Sequence, residues 1–201
     1  MHRTGPLILA SASPRRAKLL REAGYRFEQF PPPFDDSGLR SNVPPDQFAA
    51  ELARRKAESV VARVESAGAI VLGCDTLLSV NGRIEGKPAD CDCARGMLRE
   101  LFSQAHLVLT AVCLIDVHDN RRVEFVDECR VSIDAPSESE FEAYLLSEEW
   151  RGKAGGYNLA ELEGRWQFHV EGDPTTVIGL PMRRLEQELR RFAPDLLPEH
   201  Q

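Results

Sequence analysis

The stretch LILASASPRR, residues 7–16, decides how the rest of the chain is read. Leu7 to Ala10 is apolar throughout and reads as a short buried strand. It runs straight into Ser11-Ala12-Ser13-Pro14-Arg15-Arg16. Pro14 suits the first position of a helix, where its missing N–H costs no hydrogen bond. Ser13 before it is the natural N-cap. The expected order is strand, serine loop and helix, with two guanidinium groups in the first helical turn. Exposed N–H groups at that turn and the positive end of the helix favour an anion. A polyphosphate is therefore the first ligand to consider.

Outward from this corner, strands and helices alternate. The first helix is predicted over Pro14 to Ala23, ended by Gly24, and a second strand over Phe27 to Phe30. Pro31-Pro32-Pro33 forces an extended path into Phe34-Asp35-Asp36, and Ser37 to Pro45 reads as a loop. Asp46 to Ala67 is the longest helical segment, with Phe48, Leu52, Ala53, Val60, Val61 and Val64 close to one face and Gly68 as its stop. Ala69 to Cys74 is a buried strand that ends at Asp75-Thr76. Leu77 to Val80 and Ile84 flank Asn81-Gly82, a strong hairpin signal.

A helix follows over Asp90 to Phe102, capped near Asp90 or Asp92. Leu107 to Val117 and Arg122 to Ile133 read as two long antiparallel strands around Asp119-Asn120. Ser137 to Glu140 is a capping box that opens a helix to about Leu146. The glycine-rich Gly152 to Tyr157, a short strand over Trp166 to Val170 and a helix after Pro181 complete the pattern. A long hairpin in the middle of alternating elements indicates an α/β fold with a mixed sheet, not a purely parallel one.

A length of 201 residues suits one large domain or two closely joined lobes. Hydrophobic residues at 42% and charged residues at 28% supply both a core and a wet surface. The net charge of -7 argues against nonspecific nucleic-acid binding, and no aromatic-basic interleaving suggests a nucleic-acid groove. Within this acidic chain the first 24 residues are basic: Arg3, Arg15, Arg16, Lys18 and Arg21 stand against Glu22 alone. That is consistent with one anion site on a mainly negative surface. No apolar run reaches membrane-spanning length, and the start does not read as a signal peptide. Five scattered cysteines do not form a secreted disulfide framework, so a reducing, cytoplasmic compartment is the expectation.

Several residues could carry chemistry. Asp75 follows a strand too apolar to be exposed, and carboxylates at such strand ends tend to face the ligand crevice of α/β proteins. There it can hold a divalent ion or take a proton from water, or simply cap a turn. Asp35 and Asp36, after three stiff prolines, offer a second acidic point that would suit magnesium or manganese together with phosphate oxygens. Lys87, returned towards Asp75 by the hairpin, can neutralise charge on a phosphate. Lys153 opens the glycine-rich segment, and Lys56 by itself reads as a surface residue. The common nucleotide-binding, hydrolase and zinc-protease motifs are missing.

Taken together, these motifs resemble one family. LASASPRR, Lys56-Ala57, GCDT (73–76), Gly86-Lys87-Pro88, KAGGY (153–157) and VIGLP (177–181) occur in the order of the Maf (septum-formation-like) nucleoside triphosphate pyrophosphatases. The resemblance covers about Leu7 to Phe192. It implies a cytoplasmic enzyme that cuts a nucleoside triphosphate between its α and β phosphates, using Mg2+ or Mn2+, and often forming a homodimer. The implied fold is one mixed α/β domain over 1–201, two lobes around a long central cleft, similar to inosine triphosphate pyrophosphatases.

By resemblance, Asp75 is the water-activating base or a metal ligand, Lys87 a catalytic lysine and Asp36 a metal-associated acid where glutamate is usual. Ser11, Arg15, Arg16, Lys56, Thr76 and Lys153 fall on the substrate side. Asp75-Thr76 matches the dTTP/UTP branch, whereas the branch acting on 7-methyl-GTP tends to Asp-Gln. The family glutamine of the glycine-rich motif has become Ala160, leaving Glu161 or Gln167 as groups that could replace its contact. The competing expectations are a noncatalytic nucleotide-binding regulator linked to cell division and a phosphohydrolase of sugar nucleotides.

Overall fold

The computed structural model describes residues 5–34, 42–66 and 68–198. The opening corner folds as its residues dictate. β1 (Leu7–Ala10) is wholly buried and leads into α1 (Pro14–Glu22), with Ser13 extended at the N-cap and Pro14 in the first turn. The Ser13 hydroxyl accepts a long bond, 3.5 Å, from the Arg16 amide. β2 (Phe27–Gln29) then lies parallel to β1.

α2 (Pro45–Val61) is shorter than the periodicity predicts. Two tight turns follow it, Arg63 N to Val60 O at 2.8 Å and Val64 N to Val61 O at 3.2 Å. They carry Val64 back onto the core without another helical turn. The cause lies in the next strand's entry. Gly5 sits so close to Gly68 that a Cβ there would be 2.1 Å from the Gly68 carbonyl carbon, so the chain must close on its own beginning before that strand starts.

β3 (Ile70–Val80) corrects the expectation that a strand ends at Asp75. It continues for 11 residues through Asp75 and Thr76, because β5 (His106–Asp116) pairs with it without a break, Asp75 opposite Ala111 and Thr76 opposite Thr110. The Asn81-Gly82 turn, with φ of 50° and 80°, delivers β4 (Arg83–Glu85). α3 (Cys91–Ser103) is capped by Asp90, β6 (Arg122–Ile133) completes the long hairpin, and α4 (Glu138–Leu146) opens on the expected capping box. α5 (Leu159–Leu162), β7 (Phe168–Glu171), α6 (Pro174–Ile178) and α7 (Met182–Phe192) follow.

Among the described residues, seven strands form one mixed sheet in the order β2-β1-β3-β5-β6-β7, with β4 paired to β3 off that path. The β2-β1 and β1-β3 pairs are parallel and the others antiparallel. β5 occupies one edge of β3 from Ile70 to Ser79. β1 and β4 must therefore share the other edge. β1 ends at Ala10 opposite Gly73, and antiparallel β4 ends at Glu85 opposite Leu78. Residues 74–77 lie in the gap between them.

Three apolar clusters bury the sheet. α2 lays Ala49, Ala53 and Ala57 against Ile8, Val71 and Ala111 on one face. α1 and α7 cover Leu7, Leu9, Ile70 and Leu72 on the other. Around Leu78 and Val80, α3, α4 and the aromatic rings of Tyr144, Trp150 and Trp166 build the third. No helix among the described residues is long and apolar enough to cross a membrane.

His106, at the start of β5, is buried in the third cluster with its Nε2 2.7 Å from the Tyr157 hydroxyl. Burial holds its pKa down to about 4, against an ordinary 6.5. The unfolded chain therefore binds a proton over a pH range in which the folded chain does not. Stability from this site is complete above pH 6.5 and is lost as pH falls towards 4, by up to about 3 kcal/mol. His106→Gln should lower stability at neutral pH yet flatten that loss. Thermal melts of both proteins at pH 7 and pH 5 check this; an equal drop in the two would exclude His106 as the group responsible.

Candidate active site

The gap on β3 opens into a cleft of about 600 Å³. Its polar wall is assembled from segments far apart in sequence. α1 contributes Arg15 and Arg16, α2 Lys56, β3 Asp75 and Thr76, the turn after β4 Lys87, and the glycine-rich segment Lys153. Seven side chains singled out in the sequence thus line one cavity. Ser11 stands behind it, buried, accepting from Ser13 N at 3.2 Å and from Arg16 Nη1 at 3.1 Å. Asp36, like Asp35, lies outside the described residues.

Asp75 is fixed by Lys56. Its Oδ1 accepts from Lys56 Nζ at 2.6 Å, with the two side chains only 8% and 13% exposed. Sequence reading alone places Lys56 on the surface, but the close approach of α2 to β3 brings it inward. That approach depends on Gly73. A Cβ there would lie 2.4 Å from the Ala53 carbonyl oxygen and 2.7 Å from Ala57 Cβ. With so little water around the pair, attraction between its charges is stronger than at the surface.

Arg16 is equally constrained. Its Nε donates to Gly179 O at 2.8 Å, Nη1 to Ser11 Oγ and Nη2 to Thr76 Oγ1 at 3.0 Å. Gly179, with φ of 122°, lets the turn between α6 and α7 come this close. A guanidinium has five N–H donors, so Arg16 keeps two beyond these three. The glycine-rich segment is tied to the Lys87 turn by Gly155 N donating to Gly86 O at 3.0 Å, and Gly155 takes a φ of 66° against the Leu78 side chain. Lys153 and Lys87 are thereby carried on two turns that are bonded to each other.

One carboxylate, Glu85, escapes a motif search, and a second, Glu161, is one of the two groups named beside Ala160. Glu85 is buried, lines the cleft and accepts from Arg83 Nε at 2.6 Å. Glu161 binds Lys153 and Asn158 and stands 3.9 Å from Arg15. Burial pushes the Glu161 carboxyl up, but Lys153, Asn158 and Arg15 together outweigh it and hold the group below its usual range. Of the two groups that could replace the glutamine at Ala160, Glu161 is the one set among cleft cations. Gln167 is exposed, with its carbonyl bonded to Asp134 N. Thr110, Thr176 and Asp127, which bond in series behind Thr76, are not legible from sequence either, since Thr110 and Asp127 sit in ordinary strands and Thr176 in a short helix.

The arrangement can hold an extended polyanion along Arg15, Arg16, Lys87 and Lys153, next to one oriented carboxylate. Comparison with known proteins agrees with that chemistry. A family model described as Maf-like protein matches residues 6–192. A dTTP/UTP pyrophosphatase of Salinibacter ruber is 39% identical over 193 residues, covering 96% of this chain and 93% of that protein. One from Chelativorans is 40% identical over 181 residues, covering 88% and 86%, and one from Pelotomaculum thermopropionicum is 35% identical over 191 residues, covering 95% and 98%. A solved dITP/XTP pyrophosphatase of Mycobacterium abscessus overlaps only partly, with a TM-score of 0.39 at 16% identity over 63% of this chain and 73% of that one.

The dependence of the Asp75–Lys56 pair on Gly73 has a measurable consequence. Gly73→Ala must push α2 away from β3, because the clashing atoms, Ala53 O, Ala57 N and Ala57 Cβ, are all fixed to the helix backbone. It should cost roughly 1–3 kcal/mol, the scale of an overpacked core, and lower turnover beyond any loss of folded protein. Denaturant melts paired with activity per folded molecule test this; a variant as stable and as active as the parent would show that the close approach is not needed.

Proposed function

The chain belongs to the Maf-like protein family, and from that premise we propose that it is a nucleoside triphosphate pyrophosphatase acting on the pyrimidine triphosphates dTTP and UTP. It releases a nucleoside monophosphate and pyrophosphate. The observation that carries this reading is the charge of the cleft. Five cationic side chains and two carboxylates line it, in a chain whose net charge is -7. The substrate class follows the names of the relatives and the Asp75-Thr76 pair.

The chemistry follows from the groups present. A water beside Asp75 gives its proton to the carboxylate and attacks the α phosphorus. The bond from that phosphorus to the bridging oxygen breaks, and pyrophosphate leaves with the electron pair. Arg15, Arg16, Lys87 and Lys153 balance charge on the phosphates, and fixed positive groups in a partly dry cleft do so without reorganising. Lys56 has three N–H donors. It can keep Asp75 oriented while donating to a phosphate oxygen.

We propose that Mg2+ or Mn2+ accompanies the substrate. No group of three or more metal-binding side chains occurs among the described residues. Asp75 is one hard carboxylate at the phosphate end, which suits an ion held by one or two carboxylates and the phosphates themselves. When bound, the ion would supply charge neutralisation and polarise phosphate oxygens. The alternative of a noncatalytic binding regulator has less to recommend it, since the similar proteins are named as pyrophosphatases and Asp75 is held among the cleft cations.

Incubation with UTP or dTTP should yield monophosphate and pyrophosphate in equal amounts, followed by phosphorus NMR. Asp75→Asn should lower kcat by roughly two orders of magnitude or more, the scale of general-base catalysis, with a smaller change in KM. Orthophosphate and a diphosphate as the products would overturn the cleavage position. Near-normal turnover by the variant would remove Asp75 from the chemistry.

A further inference from the structure

We infer that Thr110, a buried hydroxyl on β5 outside the cleft lining, is a positioning residue for the triphosphate site, acting through Thr76 and Arg16. The inference rests on reading the cleft as that site.

The direction of each hydrogen bond is forced by counting protons. The Thr110 hydroxyl lies 2.7 Å from the Thr176 carbonyl, which can only accept, so Thr110 spends its one proton there. Thr76 Oγ1 lies 2.9 Å from Thr110 Oγ1, so the bond between them uses the Thr76 proton. That leaves the Thr76 oxygen as an acceptor, and Arg16 Nη2 donates to it at 3.0 Å. The series runs one way only, from Arg16 to Thr76 to Thr110 to the Thr176 carbonyl. The Thr76 proton is therefore committed to Thr110 and is not offered to a ligand.

The far end of the series returns to Arg16. Thr176 is on α6, and Gly179, which follows α6, accepts from Arg16 Nε. Thr176 is held twice, its carbonyl by Thr110 and its hydroxyl donating to Asp127 Oδ2 at 2.6 Å. Thr110 and Asp127 are direct neighbours across β5 and β6. A closed loop of bonds thus sets both the Thr76 and the Gly179 contacts of the guanidinium. Packing gives no reason for a hydroxyl at 110. Its strand neighbours Leu109, Ala111 and Val112 are buried and apolar. Valine would fill nearly the same volume in a strand without a polar atom to satisfy.

Thr110→Val removes the acceptor of the Thr76 proton while keeping shape. Free to rotate, Thr76 can turn that proton towards Arg16 and no longer fixes the guanidinium. KM for UTP should rise about tenfold, equivalent to losing one hydrogen bond to a charged group, with kcat within about threefold. Thr110→Ser should restore KM to within about twofold. Thr76→Val should show a similar rise. Adding Thr110→Val to it should cost no more than about twofold further, because both act through one series. Inorganic tripolyphosphate titrated calorimetrically into the same proteins reads the site without turnover and should give the same ranking.

A merely structural Thr110 predicts a lower melting temperature and less active protein at unchanged KM. That result, strict additivity with Thr76→Val, or failure of serine to rescue would overturn the inference. Should Thr110→Val not fold, Thr76→Val compared with Thr76→Ser decides by the same criterion: a KM left unchanged by valine sinks the inference. Turnover by the parent protein with an unaffected valine variant defeats the positioning role alone. A parent that neither hydrolyses UTP nor binds tripolyphosphate defeats the reading of the cleft as well.

Discussion

One edge of β3 serves two short strands that do not meet. β5 takes the opposite edge along nearly the whole strand, so β1 and β4 compete for what remains, and neither covers residues 74–77. Alternation along the strand turns Asp75 towards Lys56 on α2 and Thr76 towards Arg16 on the opposite face, while β5 pairs with both and keeps them rigid. A carboxylate at a true strand end would sit on a more mobile chain. Here Asp75 combines a place in the cleft lining with the stiffness of a central strand, which fixes its position within narrow limits.

Every other part of the site is brought to that gap by backbone proximity. Gly73 lets α2 close on β3, and so Lys56 reaches Asp75. Gly179 lets the turn before α7 reach Arg16. Gly155 lets the glycine-rich segment bond the Lys87 turn. Three glycines separated by much of the chain therefore set where four of the charged side chains stand. Their role is one of access for neighbouring backbone, and the charges follow.

Much of this was legible from residue patterns, for identifiable reasons. The Ser13-Pro14 helix start, the Asn81-Gly82 turn and the Ser137 capping box are local signals, and all formed where expected. The mixed sheet was legible from the long hairpin between β5 and β6. Two element ends were misjudged because tertiary contacts decide them. Val60, Val61 and Val64 keep a helical period, yet closure of the chain at Gly5 and Gly68 ends α2 at Val61. Asp75-Thr76 interrupts an apolar run and looks like a terminus, but pairing with β5 overrides that local cue. The threonines behind Thr76 and the carboxylate of Glu85 carry no motif. Their importance lies in which atoms they meet across the fold, and spacing in sequence does not encode that.

A chain of net charge -7 repels a nucleotide triphosphate at long range, whereas the cleft gathers five cationic side chains in one place. Beyond a Debye length of about 8 Å at physiological salt the surface average is screened, so the local cations dominate the final approach. Glu85 and Glu161 temper even that attraction. Glu161 in particular stands among Arg15, Lys153 and Asn158, so these groups are ordered before any ligand arrives. Preordered cations lose less side-chain entropy on binding, and a neighbouring carboxylate disfavours an anion that does not reach the remaining cations. A polyanion long enough to engage Arg16 and Lys87 as well gains what a shorter one cannot.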